Sequence, residues 1–404
     1  MRPINAALVI SLALGLPALA QAQFKSTWPL DGRIAVTDST VPGRSTEDTL
    51  KSGGGDLELH FSPILGWTQS RWLILPSVDL NTTSANTILK VDDQRFEFLA
   101  QSTTHVELGT AFKRTPDQRF GIRAFGESFQ AKQAVNESLT TGQYNYEDSG
   151  VSMDWRQKWN TNTPFRSTLG LSATNRSYPN WQSLDPDHHK EKDQAITRLY
   201  TDLEWSWVEW TGSTVIGFST QTADFKDANL VGADALTTTA KRKDQVTDLS
   251  LDVPFELGRN AISFGVHGTV WDSNLTDYDT QNNYWTENYG DFLEGSGHLG
   301  YAYNFKGPWA WGFFKSPQLT LDLDLILRQY IQRPAKNDDG SLQPEVERDF
   351  TRNFGLGYNS AYTDHWAMYV KINHLESASN NHDQSSALYN YVFNTFSLGL
   401  NFFY

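Results

Sequence analysis

The 404-residue chain has no cysteine and only three methionines, and past its first residues it has no apolar run long enough to cross a bilayer as a helix. The missing cysteine excludes disulfides, thiolate catalysis and a lipid-modified cysteine at a mature N-terminus. The missing apolar runs exclude a bundle of membrane helices. Positive charge is also short, with 33 Lys and Arg against 47 Asp and Glu and a net charge of −14. That balance suits nucleic acid poorly. No Pro- or Ser-rich linker, low-complexity tract or heptad pattern divides the chain. Neither a nucleophile elbow, a zincin helix nor a phosphate loop is present.

Aromatic residues are abundant, with 14 Trp, 16 Tyr and 23 Phe. The N-terminus reads as a secretory signal. Met1-Arg2 gives a short positive start, Ala6 to Ala20 is mostly apolar, and Ala20-Gln21-Ala22 is an A-x-A cleavage site. The expectation is a cleaved segment over 1–22 and one mature domain over 23–404. The apolar run is too short for a comfortable transmembrane anchor, and no stop-transfer pattern follows it.

The rest of the chain alternates with period two. Strands are expected at 30–37, 55–63, 71–80, 97–113, 119–131, 146–158, 165–176, 195–210, 213–222, 245–255, 260–271, 292–304, 317–331, 348–361, 365–374 and 390–404. Their number is about 16, with 14 or 18 as the alternatives, and bacterial barrels favour even numbers. Tight turns (Thr115-Pro116-Asp117-Gln118, Thr211-Gly212, Leu257-Gly258-Arg259, Thr363-Asp364) alternate with longer polar links at 38–54, 81–96, 132–145, 177–194, 223–244, 272–291, 332–347 and 375–389. Short turns on one side and long loops on the other predict an all-β fold, a transmembrane antiparallel up-and-down barrel with both termini periplasmic.

The chain stops on Ser397-Leu398-Gly399-Leu400-Asn401-Phe402-Phe403-Tyr404. Ser397, Gly399, Phe402 and Tyr404 resemble the C-terminal signal of Gram-negative outer-membrane β-barrels. The resemblance implies delivery to the barrel assembly machinery and an outer membrane containing lipopolysaccharide. It identifies a route and no solute.

Alternation also assigns faces. In 317–331, Leu319, Leu321, Leu323, Leu325 and Leu327 fall on the lipid face. Thr320, Asp322, Asp324, Arg328 and Tyr330 then face the lumen. By the same rule Arg123, Arg156, Lys158 and Arg166 form a basic arc, relieved by Glu127 and Asp154. Asp202, Glu204, Asp248, Asp252, Glu294, Asp322 and Asp324 form an acidic arc, relieved by Arg198 and Arg328. Charges in a dry interior cost several kcal/mol each, so the lumen is either wet or filled by ion pairs. Inward aromatics Tyr200, Trp210, Trp271, Tyr330, Tyr369, Tyr391 and Phe393 are either sugar-stacking platforms or rim residues. Trp155, Trp205, Trp207 and Trp366 point to lipid.

Three readings follow: a channel for small polar solutes, saccharides among them; a polysaccharide export barrel with periplasmic partners; and a structural barrel with a filled lumen. The export reading draws on the long aromatic turn 305–317, either a docking surface for a partner or an interfacial anchor. Candidate acid–base pairs are His105 with Glu107 and His298 with Glu294, and His374 near Ser377 is the nearest approach to a lipid hydrolase. Such spacings arise on any lumen-facing strand, so an enzyme is not expected. Asp185-Pro186-Asp187-His188-His189 and Asn337-Asp338-Asp339-Gly340 are oxygen-rich loops without full calcium-loop spacing, which turn chemistry explains. No metal or cofactor is expected.

Overall fold

A strand that keeps apolar residues on one face and polar residues on the other is stable in a membrane only if its backbone edges are paired on both sides. This chain meets the requirement by closing on itself. The computed structural model describes residues 24–41, 50–67, 70–91, 94–131, 144–160, 164–181, 190–207, 212–305, 315–382 and 391–404. Its strands in chain order are β1 (Phe24–Thr27), β2 (Leu30–Val41), β3 (Leu50–Phe61), β4 (Ile64–Trp67), β5 (Trp72–Val91), β6 (Gln94–Thr115), β7 (Gln118–Ala131), β8 (Tyr146–Asn160), β9 (Phe165–Ser177) and β10 (Gln194–Trp207). They continue with β11 (Gly212–Val231), β12 (Thr237–Leu257), β13 (Asn260–Ser273), β14 (Asp277–Asp279), β15 (Tyr284–Thr286), β16 (Phe292–Asn304), β17 (Lys315–Lys336), β18 (Leu342–Ala361), β19 (Trp366–Ser379) and β20 (Tyr391–Phe403).

Each wall strand pairs antiparallel with the next, and β2 pairs with β20 from Asp31↔Phe403 to Thr40↔Asn394, which closes the ring. β1 and β4 are short pieces that pair with each other beside the β2–β3 ladder. The breaks fall at Trp28-Pro29 and Ser62-Pro63, where each proline lacks a ladder N–H, and Ser62 N still donates to Pro29 O at 3.3 Å. Counting β1–β2 and β3–β4 as one wall strand each, the barrel has 16 strands, and β14–β15 is a separate hairpin outside the wall.

The register divides the faces cleanly. Ile34, Val36, Ile122, Leu171, Leu249, Leu299, Leu323, Phe354 and Leu398 are exposed, and all lie on the outer face. Ile326, 36 % exposed between Asp324 and Arg328, is an apolar residue that turns inward. One small buried apolar cluster occurs among the described residues, formed by Ile196, Ala223 and Phe225. The interior is therefore not a conventional core. Outer aromatic contacts gather near the short turns, with Trp72 against Phe112 at 4.9 Å, Phe165 against Trp205 at 4.9 Å and Trp366 against Phe402 at 5.5 Å. That placement matches an interfacial girdle.

The loops differ from expectation. The links expected at 81–96, 223–244 and 332–347 are largely ladder, because β5–β6, β11–β12 and β17–β18 continue as long hairpins. There the period-two alternation fades while backbone pairing goes on. At the opposite end the turns are tight. Gly258 sits at φ +65° between Leu257 and Asn260, a conformation only glycine adopts without strain. The expected signal 1–22, Trp210, most of turn 305–317 and Asp185–His189 lie outside the described residues.

Candidate functional site: the inner wall

The inner wall is built by cross-strand neighbours, and ladder register decides each partner. Arg123 on β7 donates to Asp154 on β8 at 2.7 Å and lies 3.6 Å from Glu107 on β6. Arg156 shares Asp154 at 3.1 Å, and the Asp154 side chain is only 2 % exposed. Arg119 stands directly opposite Arg156, and Lys158 directly opposite Arg166. Like charges placed opposite each other repel. Arg166 is relieved by Glu204 at 3.3 Å, while Lys158 is exposed. The cations thus concentrate on β7–β9 near the short-turn end.

The expected acidic residues lie on β10–β17. Asp248 accepts from Ser219 at 3.0 Å and from Thr269 at 2.9 Å, with His267 at 3.3 Å. Glu294 holds Arg328 at 2.6 Å, and Asp324 meets His298 at 2.6 Å and Asn353 at 3.0 Å. Asp322 reaches Lys371 at 3.3 Å, two strands away. Gly355 and Gly357 on the strand between leave room for that bridge. Neither Asp202 nor Asp252 belongs to an ion pair among the described residues. Among those residues, wall ion pairs lie within one strand or join neighbouring strands or strands two apart, and none spans the lumen.

The proposed acid–base pairs are rearranged. His105 meets Glu127 at 3.2 Å instead of Glu107, and Glu294 is taken by Arg328 instead of His298. The cause is geometric, since a cross-strand neighbour is closer than a residue two positions along the same strand. His374 points outward and bonds Asn394 at 2.6 Å. Ser377 points inward and bonds Thr351 at 3.2 Å, so the two lie on opposite faces. Among the described residues no group of three or more metal-ligating side chains gathers. Gly340, at φ +79°, and Asp339, which accepts from Ser341 N at 2.9 Å, form an ordinary turn.

Of the inward aromatics, Tyr200 lies across Gly170 of the neighbouring strand, and Tyr369 lies across Gly399 with Arg33 5.5 Å above its ring. Glycine opposite an aromatic gives the ring a flat bed on the wall. Trp271, Phe292 and Tyr330 form a row with centroids 5.3 and 5.8 Å apart. Arg328 covers Phe292 at 4.5 Å. Tyr391 pairs with Ser377 in the β19–β20 ladder, and its side chain lies outside the described ones. Ser397 bonds Thr37 at 3.3 Å, Gly399 makes room for Tyr369, and Phe402 fills the space over Gly32. Tyr404 stacks on His365 at 5.0 Å.

At the long-hairpin end a cavity of about 520 Å³ is lined by Tyr144, Asp148, Arg176, Tyr178, Arg198, Arg242, Asp244 and Trp271. Arg176 grips Asp148 with two bonds of 2.8 Å, and Arg242 grips Asp244 at 2.9 and 2.6 Å. The hairpin β14–β15 leans on this end. Lys336 meets Asp279 at 2.9 Å, Asn282 donates to Gly340 O at 2.9 Å, and Trp285 donates to Val231 O at 3.0 Å. Burial alone pushes the Asp279 carboxyl up. Bonds from the Asn282 side chain, the Lys336 ammonium and the Asn282 backbone outweigh it and hold the group at about 2. Sequence reasoning passed over these ion pairs, and also over Arg333 with the fully buried Glu347 at 3.1 Å and Arg352 with Glu376 on the outer face. Only the register brings the last two pairs together.

No protein-family model matches the chain, and no curated protein matches it in sequence. Solved structures match in shape. OccAB1 of Acinetobacter baumannii is 9 % identical with a TM-score of 0.50, covering 93 % of this chain and 96 % of that one. OccK2 (OpdF) of Pseudomonas aeruginosa, solved with glucuronate, is 10 % identical with a TM-score of 0.46 over 94 % and 98 %. A bacterial polysaccharide outer membrane secretin is 9 % identical with a TM-score of 0.44 over 93 % and 98 %. At such identities the likeness concerns the fold alone, and the fold of this chain is that of the Gram-negative outer-membrane β-barrels.

Proposed function

We propose that the barrel is a water-filled conduit of the bacterial outer membrane for small polar solutes, saccharides among them. The observation that carries this reading is the course of the ion pairs: among the described residues they follow the wall, and none bridges the lumen. A ring of 16 strands encloses an aqueous interior when side chains from opposite sides do not meet. Short turns face the periplasm in this orientation, long hairpins face outward, and both termini are periplasmic. The terminal Ser397, Gly399, Phe402 and Tyr404 are then read by the assembly machinery. Acidic residues exceed basic ones along the inner face, which favours cations.

Single-channel recording of the refolded mature protein in a planar bilayer tests the reading. Steady openings with cation preference under a salt gradient are expected. A fully folded barrel that stays silent overturns it.

A further inference from the structure

On the inner face of β10–β13 the wall hollows into a niche of about 430 Å³, lined by Arg198, Tyr200, Asp202, Ser219, Asp248 and His267, with Gly217 at its floor. It continues, through the shared Ser250 and His267, into a second hollow of about 290 Å³ beside Asp252. Together they are of the size that holds a small ligand. The floor depends on a missing side chain, because a Cβ on Gly217 would stand 2.6 Å from Ser250 Oγ and 3.3 Å from Asp202 Oδ1. One face of Tyr200 rests on Gly170, and the Arg198 guanidinium stands over the ring at 5.8 Å from its centroid.

The polar groups differ in how far they are engaged. Asp248 is engaged by Ser219, Thr269 and His267. Arg198 donates to Ser219 at 3.3 Å. Asp202 and Asp252 make no ion pair among the described residues, although the Arg198 and Arg156 guanidiniums lie near enough to act on Asp202. The niche therefore offers an aromatic ring, fixed donors and acceptors, and the carboxylates of Asp202, Asp248 and Asp252 beside Arg198. An anion is disfavoured there, and a hydroxyl-rich ring bearing a positive charge meets every feature: its apolar face stacks on Tyr200, its hydroxyls bond Arg198 and Asp248, and its ammonium pairs with Asp202.

We propose that this niche is a binding subsite for a cationic amino sugar unit within the conduit. The inference rests on the reading that the lumen admits solutes. Its test uses three trisaccharides with the same β-1,4 backbone: the glucosamine trimer, its fully N-acetylated form and cellotriose. These differ only at C2, in ammonium, acetamide or hydroxyl. Binding is read twice, as blockade of single-channel current and by calorimetry on the detergent-folded barrel.

The glucosamine trimer is expected to bind roughly tenfold or more tightly than cellotriose, the usual scale of a hydrogen bond to a charged group. Asp202→Asn should remove that difference in a barrel that still folds and binds cellotriose no more tightly than before. Tyr200→Ala should weaken all three sugars. Equal binding of the three, no binding by calorimetry, or full discrimination in Asp202→Asn overturns the proposal. A silent pore whose barrel still discriminates by calorimetry overturns the conduit reading and keeps the subsite. A conducting pore that binds no sugar does the reverse.

Discussion

At the scale of single residues, neighbouring positions on one strand live in different solvents. Leu323 is 37 % exposed on the outer face, while Asp322 beside it holds Lys371 inside the wall. Leu323→Arg should lower barrel stability by about 2–4 kcal/mol, the scale for a cation at mid-bilayer on the lipid face. Denaturant unfolding in liposomes measures it. Asp322→Asn should fold with unchanged stability on that scale, free Lys371, and move reversal potentials toward anions. Equal stability of both variants would mean the faces are exchanged. The outer ion pair Arg352–Glu376 shows where residue-level reading ran out. Arg352 stands opposite Leu325 in the ladder, so alternation marks it as lipid-facing, yet its partner lies on another strand 24 positions away.

Elements were legible where solvent differs across the wall and illegible where it does not. The expected strands at 119–131, 146–158, 165–176 and 260–271 are the described β7, β8, β9 and β13 to within about two residues, because lipid on one side and polar contacts on the other enforce period two. The same signal stops at Leu80 and Thr222, although β5 runs to Val91 and β11 to Val231. Those hairpin ends project past the apolar band, and only backbone pairing records them. Partners in the candidate site were illegible for a related reason. Whether His105 meets Glu107 or Glu127 depends on register, which composition of a single strand does not contain.

The β14–β15 hairpin has a testable acid response of its own. Asp279 is held at about 2, below the ordinary carboxylate value of about 3.9. A depressed native value adds stability that is complete above the unfolded value and is lost as pH falls through the native one. The hairpin should therefore stay docked near neutrality and loosen between about pH 4 and about pH 2. Hydrogen exchange of amides 277–286, corrected for intrinsic rate at each pH, reads the change. Lys336→Met removes the ammonium that meets Asp279 and should move the loosening to higher pH. An unchanged midpoint would show that Lys336 is not what holds the hairpin.

For the whole molecule, closure and charge asymmetry are properties that no single strand owns. Arg119, Arg123, Arg156, Lys158 and Arg166 gather on β7–β9, whereas Asp202, Asp248, Asp252, Asp322 and Asp324 lie on β10–β17. The cations sit near the short-turn end, so the field along the pore is uneven and current should depend on the sign of the voltage. Replacing Lys158 and Arg166 with Gln should reduce that rectification and strengthen cation preference, both read from current–voltage curves.

Closure depends on the last strand. Seven of the ten β2–β20 rungs involve residues 397–403. Removing Ser397–Tyr404 strips those rungs and also uncovers Gly32, over which Phe402 lies. Two strands then present unpaired N–H and C=O groups to lipid, at several kcal/mol for each unsatisfied group. No rearrangement of side chains compensates for a missing row of backbone bonds. The truncated chain should fail to give the compact, heat-resistant band of a closed barrel on cold gels, in vitro as well as in cells. The in vitro result separates two roles of the terminus. A truncated chain that refolds normally in detergent but never reaches the membrane in cells would make these residues an address alone. Failure in both settings makes them the strand that closes the wall.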